Sequence, residues 1–186
     1  MNKTQNNKIR LMCMAGMMAA MYVGLDFLAV SISVPFAGNL KISLSGLPVL
    51  IMAVFGGPIW GAATGFTGAF VGQMLTYGFS ATTILWILPA VVRGFSMGLL
   101  FRAFRGSTQL GILTLETCLT SILVTLCNTG AMLVEQKLYG YYQSFFAIYV
   151  AIPPRLLVGI VTAIVYAILL PRILDTLNRR NIIRRS

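Results

Sequence analysis

Residues 145–174 read FFAIYVAIPPRLLVGIVTAIVYAILLPRIL, an apolar run whose only charges are Arg155 and Arg172. A helix rises about 1.5 Å per residue, so roughly 20 apolar residues cross a hydrocarbon core of about 30 Å. This run is long enough to span a membrane. Five further segments fit or approach the same measure: residues 9–30, 44–55, 59–77, 82–104 and 109–134. The second is short and is closed by Gly56-Gly57-Pro58, which cannot continue a helix. Between the first two, Ser, Pro, Gly and Asn residues break the chain over residues 31–39. The expectation is an all-α integral membrane protein, one domain over residues 1–186, built as a six-transmembrane-helix bundle.

Composition agrees. The 186 residues are 58% hydrophobic and 10% charged, with a mean hydropathy of +0.85, values that belong to membrane chains. The basic N-terminus leading into an apolar run has the look of a signal peptide. The rest of the chain is equally apolar, however, and no small-x-small cleavage site precedes a polar domain, so that reading is rejected.

Fourteen Lys and Arg stand against four Asp and Glu, a formal net charge of +10. The basic residues gather in three places: Lys3, Lys8 and Arg10; Arg102 and Arg105; and Arg172, Arg179, Arg180, Arg184 and Arg185. Lys and Arg near span ends are retained on the cytoplasmic side. All three clusters face that side if six helices put both termini in the cytoplasm, leaving Lys41 and Lys137 on the outer loops. The pattern is one of orientation in a cell membrane and of contact with lipid headgroups, not of nucleic-acid binding.

The inventory excludes much chemistry. There is no His, and Cys13, Cys118 and Cys127 lie in apolar runs without CxxC or CxxH spacing. No metal centre, cofactor or catalytic triad is expected, and an enzyme lacks its acid and base. No GxxxxGK[ST] phosphate loop is present, so energy for any transport comes from a partner.

Arg93 and Arg155 fall inside spans, where a charge costs several kcal/mol unless it meets a cavity or a counter-charge. One reading pairs them with Asp26, Glu116 or Glu135; the other makes them an anion-binding pocket, since the Arg fork matches a carboxylate or phosphate. Pro153-Pro154 would break the last helix where such a pocket opens. On the same outer half fall Asn128, Gln73, Tyr77, Trp86, Tyr139, Tyr141, Tyr142, Tyr149 and Lys41. They read either as an interfacial aromatic belt or as pocket lining. Gly57, Gly61, Gly65, Gly68 and Gly72 recur near one helical face, suited to close packing within the bundle or to a self-interface in an oligomeric carrier or channel.

These residues together resemble the S components, the substrate-binding membrane subunits of energy-coupling factor (ECF) vitamin transporters. The likeness rests on residues 15–20, on Lys41-Ile42-Ser43-Leu44-Ser45-Gly46-Leu47-Pro48, on Gly57-Pro58-Ile59-Trp60-Gly61, on residues 77–83 followed by Arg93-Gly94, and on Pro154-Arg155. It implies a subunit that captures a water-soluble vitamin on the outer side and joins a coupling transmembrane subunit and two ATP-binding subunits. It also implies that Ala15 and Ala19 meet the coupling subunit, and that Arg93, Arg155, Asn128, Lys41, Gln73, Tyr77 and Trp86 form the substrate site. Folate-type and pantothenate-type members look most similar, both taking carboxylate vitamins, although the stretch from Gln73 to Thr83 lacks the acidic residue of the folate pattern.

Overall fold

The computed structural model describes residues 3–34, 38–107, 109–140, 145–150 and 152–179. Its elements run α1 (Lys3–Phe27), β1 (Val30–Val34), β2 (Gly38–Ile42), α2 (Gly46–Gly56), α3 (Pro58–Tyr77), α4 (Thr83–Ala103), α5 (Leu110–Tyr139), α6 (Phe145–Val150) and α7 (Ile152–Arg179). Four of these regions are long and apolar enough to cross a membrane: Asn7–Phe27, Thr83–Ala103, Leu110–Tyr139 and Ile148–Thr176.

The fold is a helical bundle as expected, with one short departure among the described residues. The segment between the first two helices is an antiparallel hairpin, with Val30 opposite Ile42 and Val34 opposite Gly38. The run Val30-Ser31-Ile32-Ser33-Val34 places β-branched residues at alternate positions, the strand period. Pro153 and Pro154 are helical residues of α7 within the candidate span Ile148–Thr176, and the break expected beside them would fall at residue 151, outside the described residues.

α2 has 11 residues and at about 1.5 Å each covers only half of a hydrocarbon core. It is the centre of the bundle. Every residue from Gly46 to Val54 is buried, and its Leu47, Leu50, Ile51 and Val54 form one core with Met97 and Phe101 of α4, Leu113 of α5, and Tyr166, Leu170 and Leu174 of α7. Lipid is as apolar as this core, so what holds such helices together is close packing rather than water exclusion.

The glycine stripe of α3 supplies that packing. A Cβ on Gly61 would lie 2.7 Å from the Gly94 carbonyl oxygen, and one on Gly65 would lie 2.3 Å from that of Ala90. Backbone therefore touches backbone between α3 and α4, which run antiparallel. The stripe is buried at Gly61, Gly65, Gly68 and Gly72, so it is not an outward self-interface of the kind an oligomeric carrier would need.

Candidate functional site

The C-terminal half of α1, the residues leading into α2, and facing stretches of α4, α5 and α7 enclose a cavity of about 320 Å³. Of the residues singled out in the sequence, Arg93, Arg155, Asn128 and Trp86 line it together. With Asp26 added to the wall, these make five side chains from four helices, α1, α4, α5 and α7, that meet only in the folded bundle. Others do not join. Gln73 and Tyr77 stand at the C-terminal end of α3, which contributes nothing to the lining; α3 spends its inward face on α4, and Tyr77 is exposed. Tyr139 and Tyr149 are exposed as well. The side chain of Lys41, together with Tyr141 and Tyr142, lies outside the described residues.

Arg93 projects from α4, its guanidinium carbon 5.9 Å from the centre of the Tyr166 ring, a distance at which the ring face attracts a cation. Tyr166 is 2% exposed and acts as a strut: its hydroxyl donates to the Ser43 carbonyl at 2.8 Å and accepts the Gly46 amide at 3.2 Å. Gly46 leaves room there for both side chains, since a Cβ would crowd the Arg93 guanidinium and lie 2.6 Å from the Tyr166 hydroxyl. On the other side Ser45 donates to Asp26 at 3.3 Å, and Ser43 and Ser45 hydroxyls lie 2.8 Å apart. The polar corner is thus cross-braced from α1, α2 and α7.

Arg155 enters from the first turns of α7 and contacts the Met132 sulfur on α5. Trp86 Nε1 donates to Glu135 at 3.2 Å, tying α4 to α5 beside the cavity. Of the acids considered as counter-charges for the arginines, Glu116 is fully buried on α5 and neither carboxylate oxygen has a hydrogen-bond partner among the described residues. Asp26 alone of the three lines the cavity.

Donors and acceptors are divided between the walls. Thr125 and Thr162 donate their hydroxyl hydrogens to the carbonyls of Ser121 and Val158, at 2.9 and 2.7 Å. Thr125, Thr162 and Asp26 bring acceptor oxygens to the lining, Arg93 and Arg155 bring donors, and Asn128 brings both. Tyr22 and Trp86 add flat apolar surface. Sequence reasoning passed over Tyr22, Ser43, Ser45 and Tyr166. The spacing of Tyr22 and Asp26, four apart in an apolar span and so on one face, was the available signal.

Ala15 and Ala19 are 9% and 5% exposed, covered by the chain's own bundle. The outward face of α1 carries Gly16, Ala20 and Gly24, with nothing within 4 Å of a Cβ added at either glycine.

No curated protein matches the sequence. A solved structure of the S component of a bacterial ECF transporter has the same fold, with a TM-score of 0.59 and 22% identity, over 91% of this chain and 98% of that one. The sequence profile of one family matches residues 6–175, nearly the whole bundle and every residue of the cavity. The chain belongs to the family of ECF-type riboflavin transporter S components, a transporter family and not an enzyme family.

Proposed function

We propose that this chain is the substrate-binding subunit of an ATP-driven importer and that it takes a water-soluble vitamin into the cavity between α1, α4, α5 and α7. The cavity carries the reading. It is a concave site in the size range of small-molecule pockets, braced by hydrogen bonds and lined by convergent donors, acceptors and aromatic faces. Riboflavin, the vitamin for which the family is described, is the first candidate. Its flat fused rings suit Tyr22 and Trp86, and its imide and polyol ask for donors and acceptors together, as the arginines, Asn128, Thr125, Thr162 and Asp26 supply.

The two arginines favour a second candidate class, a carboxylate vitamin such as pantothenate or folate. Calorimetry of the purified chain against riboflavin, pantothenate and folate separates them. Micromolar or tighter binding is expected for riboflavin. Binding of pantothenate or folate alone would give the choice to the arginines, and silence for all three would contradict a vitamin site.

Six crossings with both termini on the cytoplasmic side of the cell membrane fit the arrangement. One cavity joins the start of α1 to the ends of α2 and α4, while the site described above joins the end of α1 to the starts of α4 and α7. Alternate helix ends therefore gather at opposite poles, and the basic residues Arg10, Arg102 and Arg105 share one of them. The site then opens toward the outer side.

The partners are a coupling transmembrane subunit and two ATP-binding subunits, with the coupling subunit docking on the Gly16, Ala20 and Gly24 face of α1. Small residues let a second helix approach closely. Gly16→Leu is expected to abolish co-purification with the coupling subunit while vitamin affinity stays unchanged, since the added side chain meets nothing in the chain itself. Normal co-purification of that variant would remove α1 from the interface.

A further inference from the structure

The pole opposite the vitamin site holds a second cavity, of about 570 Å³, where the start of α1 meets the ends of α2 and α4. Arg10, Arg102 and Arg105 line it, and no acidic residue does. Apolar side chains, among them Leu11 and Met14, complete the wall. Three cations beside an apolar surface make an amphiphilic site: a compact anion fits the one part and a hydrocarbon or glycerol portion the other.

Arg10, Arg102 and Arg105 are exposed, and two details bear on how Arg102 and Arg105 are presented. The Arg102 guanidinium lies over Gly57, next to where a Cβ would stand. Arg105 has φ of 56°, the left-handed conformation that costs an ordinary residue about 1–2 kcal/mol. It occupies the position after a helix end where glycine is the usual residue: the Arg105 amide donates to the Arg102 carbonyl at 3.1 Å and the Gly106 amide to the Phe101 carbonyl at 2.8 Å. Glycine would serve the turn better. An arginine held there against its backbone preference points to use of its side chain. A general pull on the cytoplasmic leaflet asks only that positive charge be near the span ends; it does not ask for an arginine at a left-handed position.

We propose that Arg10, Arg102 and Arg105 form a phosphate site, occupied by the headgroup of an anionic phospholipid whose glycerol and upper acyl portion lies along Leu11 and Met14. Basic pockets between membrane helices recognise anionic headgroups in this way, and a ligand that binds only the folded chain raises its melting temperature.

The test uses the full chain, delipidated in uncharged detergent, with phosphatidylglycerol, phosphatidylcholine or inorganic phosphate added and melting temperature read. Phosphatidylglycerol is expected to raise it by several degrees, with phosphatidylcholine giving no rise. The rise should be lost in Arg102→Gln and in Arg105→Gly. The second variant keeps the result interpretable, because glycine relieves the backbone at 105: its melting temperature without lipid should equal or exceed that of the wild type, whereas its response to lipid disappears. An equal rise with inorganic phosphate would assign the site to the free anion and overturn the lipid. An undiminished response in Arg105→Gly, or an equal response to phosphatidylcholine, would overturn the site. If the variants respond normally to lipid but fail to co-purify with the coupling subunit, the arginines serve a protein contact instead and the proposal falls. Vitamin affinity is expected to be unchanged throughout, so failure here leaves the vitamin site untouched.

Discussion

Arg93→Ala is expected to weaken vitamin binding by roughly 10- to 100-fold, the value of a charge-assisted hydrogen bond of about 1.5–3 kcal/mol. Arg155→Ala should cost a similar factor. Arg93 also lies beside the Tyr166 ring, and Tyr166 braces the entry to α2, so the variant needs a control for folding. Arg93→Lys provides it. Lysine keeps the charge and reaches the ring face, but loses the planar fork. If the fork recognises the ligand, Lys should restore melting temperature without restoring affinity. Full recovery of affinity by Lys would reduce the role of Arg93 to charge alone. Unchanged affinity in both Ala variants would remove the arginines from recognition while leaving the family assignment intact. Calorimetric Kd and melting temperature, measured on the same samples, decide among these results.

Gly94→Val is expected to prevent accumulation of folded protein. Its Cβ would lie 2.2 Å from the Gly61 carbonyl oxygen and 2.3 Å from the Gly61 carbonyl carbon. Backbone cannot rotate aside as a side chain can, so α3 and α4 must separate along their length. Overpacking in a core ordinarily costs about 1–3 kcal/mol, and a clash of backbone against Cβ at a helix crossing belongs at or beyond the top of that range. Gly130→Ala in α5 is the contrast. Nothing lies within 4 Å of its Cβ, and alanine is the better helix former, so the variant should melt at or above the wild-type temperature. Size-exclusion profiles and melting curves of the two variants test the claim. Equal behaviour would mean that α3 and α4 are not in backbone contact.

How much of this was legible beforehand varies from residue to residue. The helical segments were, since an apolar run of sufficient length leaves few alternatives; α3 and α4 begin and end within a residue of their expected limits. α5 continues to Tyr139, five residues beyond expectation, because Glu135 and Lys137 at its end read as loop residues. Glu135 in fact accepts from Trp86 inside the bundle. The hairpin was not legible as such, since Pro35 and Gly38 dominate a stretch whose alternating Val and Ile residues are few. Arg93 and Arg155 were found because charge within a span is costly and therefore conspicuous. Asn128 and Trp86 came with them. Tyr22 and Tyr166 were missed because a tyrosine in an apolar helix carries no such cost and gives no such signal.

The sequence by itself determined where the chain becomes apolar, which ends carry positive charge, and that two arginines within the spans required a polar surrounding. The tertiary structure alone decided which way each helix faces: it buried Ala15 and Ala19 and turned Gly16, Ala20 and Gly24 outward, excluded Gln73 and Tyr77 from the cavity, and brought Asp26 and Tyr166 into it. The reason is physical. A helix of a water-soluble protein shows its inner face as an apolar stripe, but a helix bounded by lipid is apolar on every side, so inward and outward faces differ only in how closely their neighbours fit.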